Sequence, residues 1–125
     1  MSCYADLDDG KGGVTNIVVD AANKKVQINT GVREDTVDEV LTANNLMMKT
    51  VTAGGFFSIG GMTSVDVHGA TIKQPIFSGT VSSFTILSAD GSVVTIDENT
   101  APVSLQGQSW DPINFARVNL GGLGI

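Results

Sequence analysis

Ala89-Asp90-Gly91 lies between Thr80–Ser88 and Ser92–Ile96, two runs rich in β-branched residues. An Asp-Gly pair between such runs supplies the positive φ a tight hairpin needs, and it is the strongest short-range hairpin signal. Antiparallel pairing of these two runs is therefore expected, which commits the C-terminal half to local β structure. A second pair is expected earlier. Thr15–Asp20 and Lys25–Asn29 flank the turn-forming Ala21-Ala22-Asn23-Lys24, and Val26 and Ile28 alternate with Lys25, Gln27 and Asn29 as on a strand with one buried face.

Between the two hairpins the period changes. Val37, Val40 and Leu41 fall on one helical face, while Glu34, Asp35, Asp38 and Glu39 crowd the first turns. Negative charge there suits the positive end of the helix dipole, so the acidic cluster is explained without a metal ion. The helix is expected to end near Asn44-Asn45. Leu46–Thr52 reads as a short extended or loop segment. Near the C-terminus, Asp111 followed by Pro112 has the order of an N-cap and a first helical residue, so a short helix should follow and stop at Gly121-Gly122. The expected class is α+β, a mostly antiparallel sheet with a few short helices, formed by residues 1–125 as one domain.

At 125 residues with 42% hydrophobic composition the chain can bury one core. A net charge of −6 argues against a protein that gathers phosphates by bulk electrostatics, and no nucleic-acid partner is expected. An anionic ligand would have to be held by local backbone N–H groups. The single cysteine, Cys3, has no partner for an intramolecular disulfide. No apolar run approaches the roughly 20 residues of a membrane span, and the first residues lack a signal-peptide pattern. A soluble, cytoplasmic protein is expected.

The chemistry-bearing stretch is Ser58-Ile59-Gly60-Gly61-Met62-Thr63-Ser64-Val65-Asp66-Val67-His68-Gly69. Residues without a Cβ allow a turn at positive φ or close approach to a flat ligand, and the pair Gly60-Gly61 is open to both readings. His68, the one histidine, reads either as a hydrogen-bonded structural residue or as a site residue. With one histidine and one remote cysteine, a metal site would need carboxylates and carbonyls, and none is expected. No Gly-x-Ser-x-Gly elbow and no strand-bound Gly-x-Gly-x-x-Gly is present, which disfavours a serine-hydrolase elbow and a Rossmann site. Phe56-Phe57 and Trp110 are expected in the core or at an interface.

Taken in order, Ile59-Gly60-Gly61, Asp66-Val67-His68-Gly69, Ser88-Ala89-Asp90-Gly91-Ser92-Val93-Val94 and Val118-Asn119-Leu120-Gly121-Gly122-Leu123-Gly124-Ile125 carry a resemblance. From about Gly13 onward the chain resembles the second subdomain of the flavin-binding domain of the vanillyl-alcohol-oxidase/p-cresol-methylhydroxylase superfamily. Within it, the chain is similar to the branch of alditol oxidases, aldonolactone oxidases and decaprenylphosphoryl-ribose oxidase. The resemblance implies FAD as cofactor, with Gly60, Gly61, Met62 and Thr63 lining it, Ser64 adding a hydroxyl, and His68 and Gly69 closing the same wall. It also implies that Gly121, Gly122, Gly124 and Ile125 run beside the adenine or ribose end, and that backbone N–H groups bind the anion. The family's Arg-Gly-x-Gly-His-Ser-like loop and its substrate domain have no counterpart in these residues. The expectation is therefore the FAD-binding portion of an oxidoreductase acting on a sugar, polyol or aldonolactone CH–OH group, not active alone, with no catalytic residue assigned. Self-association through exposed sheet edges is expected with it. The alternative is a small α+β scaffold or interaction protein that has lost flavin binding.

Overall fold

The computed structural model describes residues 7–10 and 14–123. Cys3, Gly124 and Ile125 lie outside them. The described chain is α+β, with antiparallel pairing in four separate two-stranded ladders and a few short helices. The first ladder joins β1 (Leu7–Asp8) to β2 (Val14–Thr15), and the second joins β3 (Ile17–Asp20) to β4 (Lys25–Ile28) in the expected hairpin. Its register sets Ile17 opposite Ile28 and Val19 opposite Val26, and all four side chains lean on the core. The turn closes on Lys24 at φ 53°, while the Asp20 carboxylate accepts from the side chain and backbone of Asn23. Those bonds, the side-chain one foremost, hold the Asp20 carboxyl below its ordinary range.

Helix α1 (Glu34–Ala43) follows, with Val37 and Leu41 buried and Val40 half-buried, as the period of the sequence requires. Asn45 at φ 56° ends it, and Leu46 N–H donates back to Leu41 O at 2.9 Å. The first turn differs from the dipole reading. Glu34 turns inward, 2% exposed, and its carboxylate accepts from the Thr52 backbone N–H and the Thr52 hydroxyl. A carboxylate that would otherwise be buried without partners is satisfied by the loop it faces. In return, the Glu34 and Asp35 N–H groups donate to Phe57 O and Gly55 O at 2.9 and 2.8 Å. Loop 50–57 is thereby tied to the start of α1.

Helix α2 (Ile59–Ser64) lies next, then a loop to a 3-10 turn at Phe77–Thr80. Val37, Leu41, Ile59, Met62 and Phe77 form one core cluster, each worth about 2 kcal/mol of burial. Strands β5 (Ser83–Leu87) and β6 (Val93–Asp97) form the expected Asp-Gly hairpin, with Gly91 at φ 84° and Ser88 N–H bonded to Ser92 O at 2.8 Å. The Asp90 carboxylate accepts from the hydroxyl and backbone N–H of Ser92, which holds its carboxyl below the usual range.

Strands β7 (Val103–Leu105) and β8 (Gln108–Trp110) add a hairpin that the sequence reading lacks. Gln106 and Gly107 turn it at φ 53° and 77°, a pair of left-handed residues of the type I′ kind. Helix α3 (Pro112–Arg117) starts at Pro112 as expected, but the Asp111 side chain makes no cap bond; its backbone carbonyl accepts from Asn114 N–H instead. Ile113 and Ala116 of α3 are buried, as is Ile86 of β5, and α3 packs on both strands of the β5–β6 hairpin and on α2.

Candidate functional site

The expected cofactor wall is built on α2. Ser58 stands at its N-cap with a side chain that accepts from Gly61 N–H at 3.2 Å. Gly60 and Gly61 lie inside the first turn of this helix, and neither adopts positive φ, so the pair is not a turn. What Gly60 approaches closely is the chain itself. A Cβ there would lie 2.9 Å from Thr30 Cβ, and the Gly60 N–H donates to Thr30 O at 2.8 Å. Gly61 is exposed, with only its own cap atom, Ser58 Oγ, near a built Cβ at 3.0 Å.

The other expected wall residues divide by orientation. Met62 and Thr63 are 1% and 5% exposed, and the Thr63 hydroxyl donates to Ile59 O at 2.8 Å. Their side chains belong to the core, which leaves only backbone to face a ligand. Ser64 is half-buried and its carbonyl accepts from Leu120 N–H at 3.1 Å. That bond brings the C-terminal glycine segment to the end of α2, opposite the first turn that carries Gly60 and Gly61. Gly121, at φ 77°, donates to Asn119 Oδ1 at 2.7 Å and has open space where a Cβ would stand. Gly122 N–H donates to Asn119 O at 2.9 Å. Past α2, His68 is exposed, and Gly69 is half-buried against Thr50.

These groups fit one part of a dinucleotide and not another. Backbone N–H groups at a helix start normally offer an anion its donors. In α2 the N–H groups of Ile59, Gly60, Gly61 and Met62 go to Val32 O, Thr30 O, Ser58 Oγ and Ser58 O. A pyrophosphate would find none of them free, so the residues present do not fit it. Gly121 has open space where a Cβ would stand, while the Cβ position of exposed Gly61 is filled by Ser58 Oγ at 3.0 Å; bare backbone at these two places suits the close approach of a flat, neutral group.

Elsewhere, an open groove of about 680 Å³ runs between α1 and the 51–55 loop, lined by Glu34, Asp35, Asp38 and Glu39 together with Thr42, Val51 and Thr52 among others. Only Asp35 of these carboxylates has an ion-pair partner among the described residues, Arg33 at 2.6 Å; such an acid-rich lining repels phosphate, and none of the expected wall residues lies there. Among the described residues no three His, Cys, Asp or Glu side chains converge on a metal position, and no helix is long and apolar enough to cross a membrane. Phe56 and Phe57, expected in a core or interface, are surface residues, 59% and 44% exposed, with ring centroids 4.4 Å apart. Trp110, likewise on the surface, packs against Phe115 at 5.5 Å.

Comparison with known proteins agrees with the resemblance at the level of the family. The chain is 27% identical to L-gulonolactone oxidase of Mus musculus over 107 residues, which are 86% of this chain and 22% of the relative. It thus spans about a fifth of the length of the curated relative it matches. A family model described as FAD binding domain matches residues 11–97, from the β1–β2 connection through α1 and α2 to the end of β6. With most of its length inside that match, the chain belongs to the FAD binding domain family.

Proposed function

We propose that this chain forms the flavin-contacting wall of a cytoplasmic oxidase that acts on a CH–OH group of a sugar, polyol or aldonolactone. The reading is supported by the family match over residues 11–97 and by the similarity to a relative named L-gulonolactone oxidase. The observation that supports it is the Leu120 N–H to Ser64 O bond, which ties the segment before Gly121-Gly122 to the C-terminal end of the helix that opens with Gly60-Gly61. FAD, when bound, supplies the hydride acceptor for substrate oxidation. The chain's own part is to bind and orient. Gly61 and Gly121 offer bare faces, Ser64 and His68 offer polar groups, and Met62 and Thr63 hold the helix from behind. No group in the described residues is assigned to proton transfer, and turnover by this chain alone is outside the proposal.

One observation favours the second reading, an α+β interaction module without flavin: every N–H at the start of α2 already has an internal acceptor. Titration with FAD separates the two. The flavin reading expects saturable quenching of FAD fluorescence and a flavin absorption band that survives desalting. A colourless preparation with no saturable quenching sinks it.

A further inference from the structure

Trp110, the single tryptophan of the chain, reads from the sequence as a core or interface residue and stands on the surface. Its neighbours make that surface one-sided. In the β7–β8 ladder Val103 pairs with Trp110, Ser104 with Ser109 and Leu105 with Gln108. Cross-strand partners share a face and successive residues alternate, so Val103, Leu105, Gln108 and Trp110 stand on one side of the hairpin and both serines on the other. Phe115 of α3 extends the apolar side, its ring centroid 5.5 Å from that of Trp110. The side is open to solvent: Val103, Leu105, Trp110 and Phe115 are each 43–53% exposed.

The hairpin is anchored at both ends. Before it, the Asp97–Thr100 turn is closed by Asp97 N–H to Thr100 Oγ1 at 2.9 Å and Thr100 N–H to Asp97 O at 3.2 Å; after it, the chain passes directly into α3. A face held in this way loses little conformational freedom when it is covered. Residues 99–110 carry no charged side chain, although the whole chain has a net charge of −6. Two copies repel where their acidic surfaces meet, whereas an uncharged apolar face is complementary to itself across a two-fold axis. The size fits as well. With aromatic side chains of about 150–250 Å² and aliphatic ones somewhat smaller, the four half-exposed residues leave roughly 350 Å² of apolar surface open. Interfaces are a little over half apolar, so this is the core of a contact of roughly 600 Å² per copy, near the lower bound of the standard class.

We propose that the face formed by Val103, Leu105, Trp110 and Phe115 is the contact between two copies of this chain in a reversible, two-fold dimer. The pairing needs no flavin.

Sedimentation of the full chain over a range of concentrations, with tryptophan fluorescence read on the same samples, tests it. The expected result is a monomer at low concentration and a dimer at high concentration. As the dimer forms, Trp110 emission should move to the blue and its quenching by acrylamide should fall, because the indole leaves water. Raising the salt from about 0.01 M to about 0.15 M shortens the Debye length from about 30 to about 8 Å and should tighten the pairing, since the copies carry like charge. Leu105→Lys and Ser104→Lys add the same charge to opposite sides of one exposed hairpin. Both make the chain equally less negative, yet only Leu105→Lys should raise the dimer dissociation constant, by about ten-fold or more, because it sets two ammonium groups into an apolar contact. Leu105→Ser, which keeps the hairpin neutral, is a second variant with the same expected direction, and melting temperatures near that of the parent show that the variants are folded. A monomer at every concentration, or a dimer that Leu105→Lys and Leu105→Ser leave unchanged, overturns the proposal. A mass that rises while Trp110 emission stays fixed also overturns it and assigns the contact to strand edges. Equal weakening by Ser104→Lys and Leu105→Lys overturns it too, since the face would then not decide the pairing.

Discussion

Gly60 and Gly61 are neighbours of the same type with different reasons to lack a side chain. At Gly60 the missing Cβ makes room for Thr30, whose carbonyl takes the Gly60 N–H. At Gly61, which is exposed, a Cβ would meet only the capping hydroxyl of Ser58 at 3.0 Å, the end of a short side chain that can turn away. Gly60→Ala therefore overpacks a backbone contact and is expected to lower stability by about 1–2 kcal/mol, whereas Gly61→Ala is expected to stay within about 0.5 kcal/mol of the parent. Urea unfolding midpoints of the two variants check this; equal midpoints would remove the Thr30 contact as the reason for Gly60. The sequence showed that both positions are bare, because composition alone reveals that. It could not show what fills the space, because Thr30 lies thirty residues away along the chain and comes near only through folding.

At the scale of elements, what was legible is what closes locally. The β5–β6 hairpin follows from Ala89-Asp90-Gly91, and α1 follows from the spacing of Val37, Val40 and Leu41, because both signals act within a few residues. The β7–β8 hairpin escaped because Gln106-Gly107 is weaker turn chemistry than Asn-Gly or Asp-Gly and its strands are only three residues each. Glu34 escaped for a different reason. A carboxylate in a first helical turn suits the dipole wherever it points, so only the loop brought against it decides that it serves as an acceptor for Thr52. Glu34→Ala is expected to cost about 2 kcal/mol by leaving the Thr52 N–H without an acceptor, and Glu34→Gln, which keeps one carbonyl oxygen, about half as much. Chemical denaturation of both variants tests this, and an alanine variant as stable as the parent would contradict the tie between α1 and loop 50–57.

Over the whole molecule, the buried core gathers on α1, α2 and Phe77, while large apolar side chains remain on the surface of the later elements, among them Val93, Leu105, Trp110 and Phe115. Each ladder has two strands, so every strand keeps an outer edge free of ladder pairing. Exposed edges with apolar neighbours favour pairing between chains, and the sedimentation coefficient is expected to rise with protein concentration. A single species of monomer mass across the micromolar range would refute that. The sequence by itself determined the α+β class, the two principal hairpins, the amphipathic helix and the family, because period, turn chemistry and ordered short motifs are written in consecutive residues. Only the tertiary structure decided that the amides opening α2 are occupied, that Met62 and Thr63 face inward, and that Leu120 returns to Ser64. Those facts depend on which distant carbonyl or side chain arrives at each group, and hydrogen-bond donors carry no mark in the sequence of the acceptor they will meet.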